Sequence, residues 1–305
     1  MVEIYTYNAG KGECIRLRFA ESHNVFVDTG VTGFAQEFER LCREVVSAGE
    51  SLDALILTHV DDDHIGGILS NLRIRSYRCP FAEVWMNHQG GAVARDVDLS
   101  VRQNNEVYSR LTEQGVAVRA MKKGDVLSVA GAMFETFWPE MLLATNDRHG
   151  TDIPLSRHND YRFSLSELSK QPISVRDTSQ NNKNSIIFAF SYDDRRILFT
   201  GDAWADDVIK AAGRYDLIKL PHHGSVRNIS EDYPQFIRSQ DFLICTDGRV
   251  HPDKQTIAKL EKWYSSKECI NIYSPTAWWK RGFFIDDDED HNIKYYLKEG
   301  LVIRW

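Results

Sequence analysis

The feature that most constrains this chain is the run Thr58-His59-Val60-Asp61-Asp62-Asp63-His64-Ile65-Gly66-Gly67. Two histidines and three carboxylates fall within six residues there, directly after the apolar run Leu52–Leu57. A nearly continuous apolar run of that length reads as a strand buried on both faces. Carboxylates packed this closely repel one another, and a metal cation relieves the repulsion. Imidazole with carboxylate suits zinc or manganese, and a single ion would leave ligands unused. The competing reading is an acidic helix start capped by Asp62 or Asp63. Gly66 and Gly67 would let the chain turn tightly into the helix that follows.

Two further signals stand at the ends of hydrophobic segments. Leu198-Phe199-Thr200-Gly201-Asp202 puts a carboxylate just beyond one, and Leu220-Pro221-His222-His223-Gly224-Ser225 puts two histidines just beyond another. Strand-end loops on one edge of an α/β sheet converge on a site. Adjacent side chains on a strand point to opposite faces, so His222 and His223 are expected to have different roles.

The rest of the chain reads as α/β. Strand-like segments at Glu3–Tyr7, Cys14–Phe19 and Asn24–Asp28 are followed by a helical period over Phe34–Ala48. Helices are also expected at Ile65–Leu72, Ala203–Ala212 and Lys254–Tyr264, and aromatic strands around Trp278–Ile285 and Leu301–Trp305. The alternation occurs twice without a linker. One domain over residues 1–305, built of two similar halves in layers, is therefore expected. A polar insertion spans about 139–184, with a capping-box pattern at Ser164 and Glu167. The acidic run Asp286–Asp290 reads as a solvated turn.

A net charge of −7 argues against a broad basic surface that coats nucleic acid, though not against a nucleic-acid substrate at a small site. The five cysteines form no CxxC pair, which favours a reducing compartment and a cytoplasmic location. The start, MVEIYTYNAGKGE, lacks the form of a signal peptide, and no stretch reaches the roughly 18 apolar residues that span a membrane.

On these residues the sequence resembles the metallo-β-lactamase superfamily, whose signature is HxHxDH, then a distant Asp, then a further His. His59-x-Asp61-x-Asp63-His64 matches it with Asp61 at the second histidine, and Phe26-Val27-Asp28-Thr29-Gly30 is similar to its first motif. Within the superfamily the likeness is to the hydrolase domain of ComEC-type DNA-uptake proteins and their free-standing bacterial relatives. It is carried by Ala9-Gly10-Lys11-Gly12-Glu13, Asn184-Ser185, Thr200-Gly201-Asp202-Ala203, Pro221-His222-His223-Gly224-Ser225 and His251-Pro252. The resemblance implies a four-layer αββα sandwich and two divalent metal ions, Zn or Mn. It implies His59, Asp61, Asp63, His64, Asp202 and His223 as ligands, with Asp202 bridging. Asp63 and His222 are the expected catalytic residues, His222 as a proton-handling neighbour of the metals. The superfamily's third-motif histidine has no counterpart, and Asn184 stands in that region.

Such a centre suits a phosphodiesterase acting on DNA, RNA or a nucleotide through metal-activated water. Hydrolysis of a non-phosphate ester, lactone or amide would use the same motifs, and a weakly active metal-binding sensor subunit would retain them. A partner protein from a defence or uptake system is a family expectation. Among the other histidines, His88 and His251 are candidates for the site edge. His149 and His158 are candidates for substrate contact, while His23 and His291 read as surface residues. Cys14 is expected to be buried and inert, and the tail aromatics to pack in the core.

Overall fold

A computed structural model describes residues 1–88, 99–141, 159–265, 268–288 and 291–305. Its first sheet has seven strands in the order Gly300–Arg304, Val2–Thr6, Ile15–Phe19, His23–Val27, Ser51–Leu57, Glu83–Met86 and Ala117–Ala120. The first four are antiparallel, and from His23–Val27 onward the pairing is parallel. The second sheet has eight, in the order Ile293–Leu297, Ile270–Ser274, Asp241–Leu243, Leu217–Lys219, Arg195–Phe199, Ile187–Tyr192, Ala132–Trp138 and Val126–Val129. It too joins an antiparallel half to a parallel half.

Period-two alternation assigns each strand's side chains to layers. Val25 and Val27 of the first sheet, with Ile56 and Trp85, face Phe134, Phe188, Phe190 and Ile197 of the second. The Trp85 and Phe134 rings meet edge to face, 5.0 Å between centroids. The intervening residues point outward. Phe26, Leu55 and Leu57 take Phe38, Leu41 and Val45 of helix Ala35–Ser47 and Ile65, Ile68 and Leu72 of helix Asp62–Leu72. On the far side Leu198, Ile218 and Phe242 take Leu165, Leu168, Ile257 and Leu260 from helices Leu165–Lys170 and Lys254–Tyr264. The layers run helix, sheet, sheet, helix. The apolar run Leu52–Leu57 is continuous because both its faces are covered.

Three expected elements differ. Helix Ala203–Ala212 is only Ala205–Val208, because Gly213–Arg214 leaves to form a two-stranded ribbon with Ile237–Arg238. Trp278–Ile285 is not a strand: Trp278 begins a short 3-10 turn, and its ring packs edge to face on Phe283 and Tyr295, at 5.1 and 5.7 Å. Aromatic clustering there satisfies the burial that suggested a strand. The acidic run is not wholly solvated either. Asp288 is buried, accepts the Leu165 and Ile285 N–H groups at 2.6 and 3.0 Å, and pairs with the buried ammonium of Lys254. Within the insertion the capping box is present at Ser164 and Glu167, while His149 and His158 lie outside the described residues. His291, expected at the surface, stacks on Phe284 at 4.8 Å, and half-buried His23 holds Asp53 at 3.0 Å. Cys14 is fully buried, and all five cysteines are free. Among the described residues no helix is long and apolar enough to cross a membrane.

Candidate metal centre

Loops from the carboxyl ends of parallel strands in both sheets meet at one place. After Ser51–Leu57, helix Asp62–Leu72 starts at Asp61, whose backbone is extended and whose side chain makes no capping bond. The capped-helix reading of the acidic run therefore fails. Asp62 alone is turned aside, accepting the Thr32 hydroxyl at 2.6 Å. The helix start is pinned by Thr29, whose N–H and hydroxyl donate to the His64 carbonyl at 2.7 and 2.8 Å. Two glycines allow the close approach: a Cβ at Gly67 would stand 2.1 Å from the Thr29 carbonyl oxygen, and one at Gly12 would stand 2.0 Å from that of Asp63.

Asp202 is the hub. Its Oδ2 lies 3.3 Å from His64 Nε2 and 3.8 Å from the Nε2 atoms of both His222 and His223. Asp63 Oδ2 lies 3.8 Å from His223 Nε2, and Asp61 Oδ2 3.0 Å from His59 Nε2. The His59 and His64 rings are 5.0 Å apart and those of His64 and His223 5.5 Å. All seven residues expected at the site thus come together. His222 and His223 lie just beyond their strand as expected, but strand alternation does not set their directions: both adopt positive φ, 46° and 55°, in the turn Pro221–Gly224. That left-handed backbone, uncommon for residues with a Cβ, turns both rings toward the same carboxylate.

The rings are oriented from behind. His64 Nδ1 pairs with Asp28 Oδ2 at 2.8 Å, and Asp28 also accepts the Thr58 N–H at 2.8 Å. His223 Nδ1 donates to the Cys245 carbonyl at 2.7 Å, and His59 Nδ1 meets Ser185 Oγ at 3.1 Å. Each arrangement leaves Nε2 facing the hub. The Nε2 atoms of His59, His64 and His223 and Oδ1 of Asp202 are all buried, and apart from the carboxylates of Asp61 beside His59 and Asp202 beside His64 none has a hydrogen-bond partner. Buried polar groups are normally satisfied, so this concentration of under-satisfied ring nitrogens and carboxylate oxygens calls for a shared partner. Nitrogen and carboxylate donors within 4.8 Å of one another, at His64, Asp202 and His223, fit a divalent metal.

The charges divide accordingly. Burial opposes ionisation of Asp202, but His64, His222 and His223 hold it well below the carboxylate range. Burial likewise opposes the Asp63 charge, which His64 and His223 nevertheless hold down at about 2. His223 is pushed down to about 3 by burial, the neutral form a metal ligand needs. For His222 burial also disfavours the cation, yet Asp202 and Asp177 raise it to about 9.

Several residues of the site were missed by sequence reasoning. Buried Lys219 donates to the Gly201 carbonyl at 3.0 Å, pairs with buried Glu13, and stands 3.9 Å from Asp202 Oδ1. A lysine in the otherwise apolar strand Leu217–Lys219 was the signal. Lys11 Nζ reaches Asp63 at 3.3 Å, and Asn181 Nδ2 donates to Asp61 at 3.2 Å. His222 Nδ1 is held by Asn228 at 3.1 Å, with Asp177 at 3.6 Å. Asn184, which stands in the region of the third-motif histidine, donates its amide to the Gln180 carbonyl at 3.0 Å. His251 does reach the edge, its ring 5.0 Å from that of His222, whereas His88 stacks on Tyr108 and bonds Asn105 at 2.6 Å.

Comparison with known proteins agrees with this geometry. Residues 9–78 match the family model described as the metallo-beta-lactamase superfamily. The chain is 26% identical over 262 residues to ComE operon protein 3 of Bacillus subtilis (strain 168), covering 79% of this chain and 28% of that protein. It therefore spans little more than a quarter of that relative's length. Among solved structures, the metallo-beta-lactamase fold protein YhfI from Bacillus subtilis is similar with a TM-score of 0.48 at 10% identity, over 98% of each chain. CmlA, a diiron beta-hydroxylase from Streptomyces venezuelae, gives 0.41 at 13% identity, over 95% of this chain and 47% of CmlA. Both scores are below 0.5, and the fold rests on the sheets and layers themselves.

Proposed function

We propose that this chain, whose residues 9–78 match the metallo-beta-lactamase superfamily model, is a metal-dependent hydrolase with a dinuclear centre that cleaves phosphodiesters in nucleic acid or a nucleotide. The observation that carries the reading is the buried group of His64, Asp202 and His223, whose ligand atoms from both sheets lie within 4.8 Å of one another. His64, Asp63 and His223 would hold one ion and His59 and Asp61 the other, with Asp202 shared. Zinc or manganese would supply a bound water acidified toward about pH 7 and a clamp for the phosphate oxygens.

The protein's own groups do the rest. Asp28 and the Cys245 carbonyl fix the orientation of His64 and His223, so that each presents Nε2. The Asn181 amide steadies Asp61. His222, buried least of the cluster histidines and held at Nδ1 by Asn228 with Asp177 nearby, is placed to give a proton to the departing oxygen. Lys11, more than half exposed beside Asp63, adds positive charge where an anionic substrate would enter. The oxygen-rich donor set and the Lys11 ammonium favour a phosphodiester over a neutral ester. Five free cysteines accord with a reducing, cytoplasmic setting.

The test is turnover of bis-p-nitrophenyl phosphate against p-nitrophenyl acetate, with Mn or Zn added. Phosphodiester turnover that Asp202→Asn abolishes is expected. Hydrolysis of the acetate alone would move the assignment to non-phosphate esters, lactones or amides.

A further inference from the structure

At the amino-terminal ends of the second sheet's parallel strands, away from the metal-site loops, lies a cleft of about 920 Å³. Its lining includes Arg195, Arg196, Arg214, Arg238, Trp263 and Trp305. Gly213–Arg214 pairs in parallel with Ile237–Arg238, and the register sets Arg214 directly opposite Arg238. Residues in register on neighbouring strands present their side chains on one face. Both arginines are exposed, and among the described residues neither guanidinium forms an ion pair.

The other charges of the cleft are largely spent. Arg195 holds Asp216 at 2.9 Å, and Arg196 holds Glu135 at 2.8 Å. Asp241 accepts from Asn271 and Tyr273 at 3.1 and 2.9 Å. Asp194 and Glu268 are the remaining acids, both exposed. Like charges directly opposite destabilise a strand pair, so the ribbon bears a cost that an anion between the two forks would remove. Planar guanidinium pairs suit phosphate oxygens in particular. Trp263 lines the same cleft, and its indole packs beside the rings of Tyr233 and Tyr264, with centroids 6.2 and 6.4 Å away. An aromatic face next to a phosphate seat is the arrangement that receives a nucleobase.

We infer that this cleft is a second, non-catalytic site for a nucleotide unit, its phosphate between Arg214 and Arg238 and its base against Trp263. The unit is either a free nucleotide or one residue of a strand. The inference does not depend on hydrolysis at the metal centre.

The full chain would be titrated by calorimetry at low salt with inorganic phosphate, AMP and a short oligothymidylate. Saturable AMP binding, tighter than that of phosphate, is expected. Arg214→Gln/Arg238→Gln should weaken it by about tenfold or more, since charge-assisted hydrogen bonds are removed. Trp263→Leu should weaken AMP binding but not phosphate binding. Binding should persist in Asp202→Asn, which separates this site from the metal centre. An oligonucleotide that binds tighter than AMP identifies a strand as the ligand; one that binds no tighter identifies the free nucleotide. The thermal midpoint of the double variant should be no lower than that of the parent, since the like-charge pair is gone. No saturable binding by any probe, or unchanged affinity in a folded double variant, overturns the inference.

Discussion

Replacing Lys219 by methionine tests whether the buried pair behind Asp202 is a support of the site. Lys219 and Glu13 are both about 1% exposed, and they come from different sheets. Lys219→Met keeps the apolar stem and removes the ammonium. Glu13 is then a buried carboxylate without its cation, and the Gly201 carbonyl loses its donor. Breaking a buried ion pair from one side costs about 3–5 kcal/mol. For 305 residues the unfolding entropy near the midpoint is roughly 0.6 kcal/mol per degree. The midpoint should therefore fall by about 5–8 °C. Glu13→Gln/Lys219→Met removes both charges and should recover at least half of that loss, because the uncompensated carboxylate is gone. Thermal unfolding followed by circular dichroism reads both variants, and elemental analysis of the same samples reads metal content. A shift under about 2 °C in Lys219→Met, with no difference between single and double variants, would refute the reasoning.

Divalent Mn or Zn added to the metal-depleted chain should raise the unfolding midpoint. Saturation at about a hundred times Kd contributes roughly 2.7 kcal/mol, and scanning calorimetry showing no shift would count against a metal centre. Asp202→Asn and His64→Ala should each lose metal by elemental analysis and lose turnover, with the far-ultraviolet spectrum unchanged. His223→Ala should lower metal content and turnover together, whereas His222→Ala should cost about 10²–10⁴-fold in turnover with metal largely retained. If His222→Ala instead empties the centre, His222 is a ligand. Asp288→Ala should destabilise by about 3–5 kcal/mol in denaturant titration, since it strands Lys254; a surface-like loss under about 0.5 kcal/mol would restore the solvated reading of the acidic run.

What could be read from sequence was what adjacent residues determine. His59, Asp61, Asp63 and His64 are neighbours along the chain, so their convergence needed only a strand that stops before them. Lys254–Tyr264 was legible to the residue because its apolar period and flanks agree. The Ser164 and Glu167 capping box is likewise local. The misreadings came where packing across the fold decided the backbone. The Ala203–Ala212 period was helical, but pairing of Gly213–Arg214 with Ile237–Arg238 took the chain away. His222 and His223 were read with the alternation of an extended strand. Pro221 before them and Gly224 after them were the turn signals, and the positive φ at both histidines reverses what alternation implies. Lys219 with Glu13 could not be paired from sequence, since nothing local says which buried carboxylate a buried lysine will meet.

The division of the ligands between the sheets has a consequence for how the centre exists at all. His59, Asp61, Asp63 and His64 hang from the first sheet, and Asp202, His222 and His223 from the second. The hub distances are set by the packing of Val25, Ile56 and Trp85 against Phe134, Phe188 and Ile197, not by either loop alone. The Glu13–Lys219 pair crosses the same interface directly beneath the hub. A metal held by this set would therefore bind the packed sheets and not the separate halves, and its binding energy would be stability of the packing. The converse also holds: a cavity in the inter-sheet core, remote from every ligand, would loosen the centre by shifting Asp202 relative to His64. Orienting partners such as Asp28 and the Cys245 carbonyl limit that shift, because each fixes a ring against its own sheet. What remains free to move is the spacing between sheets, and that spacing is held by the aromatic core.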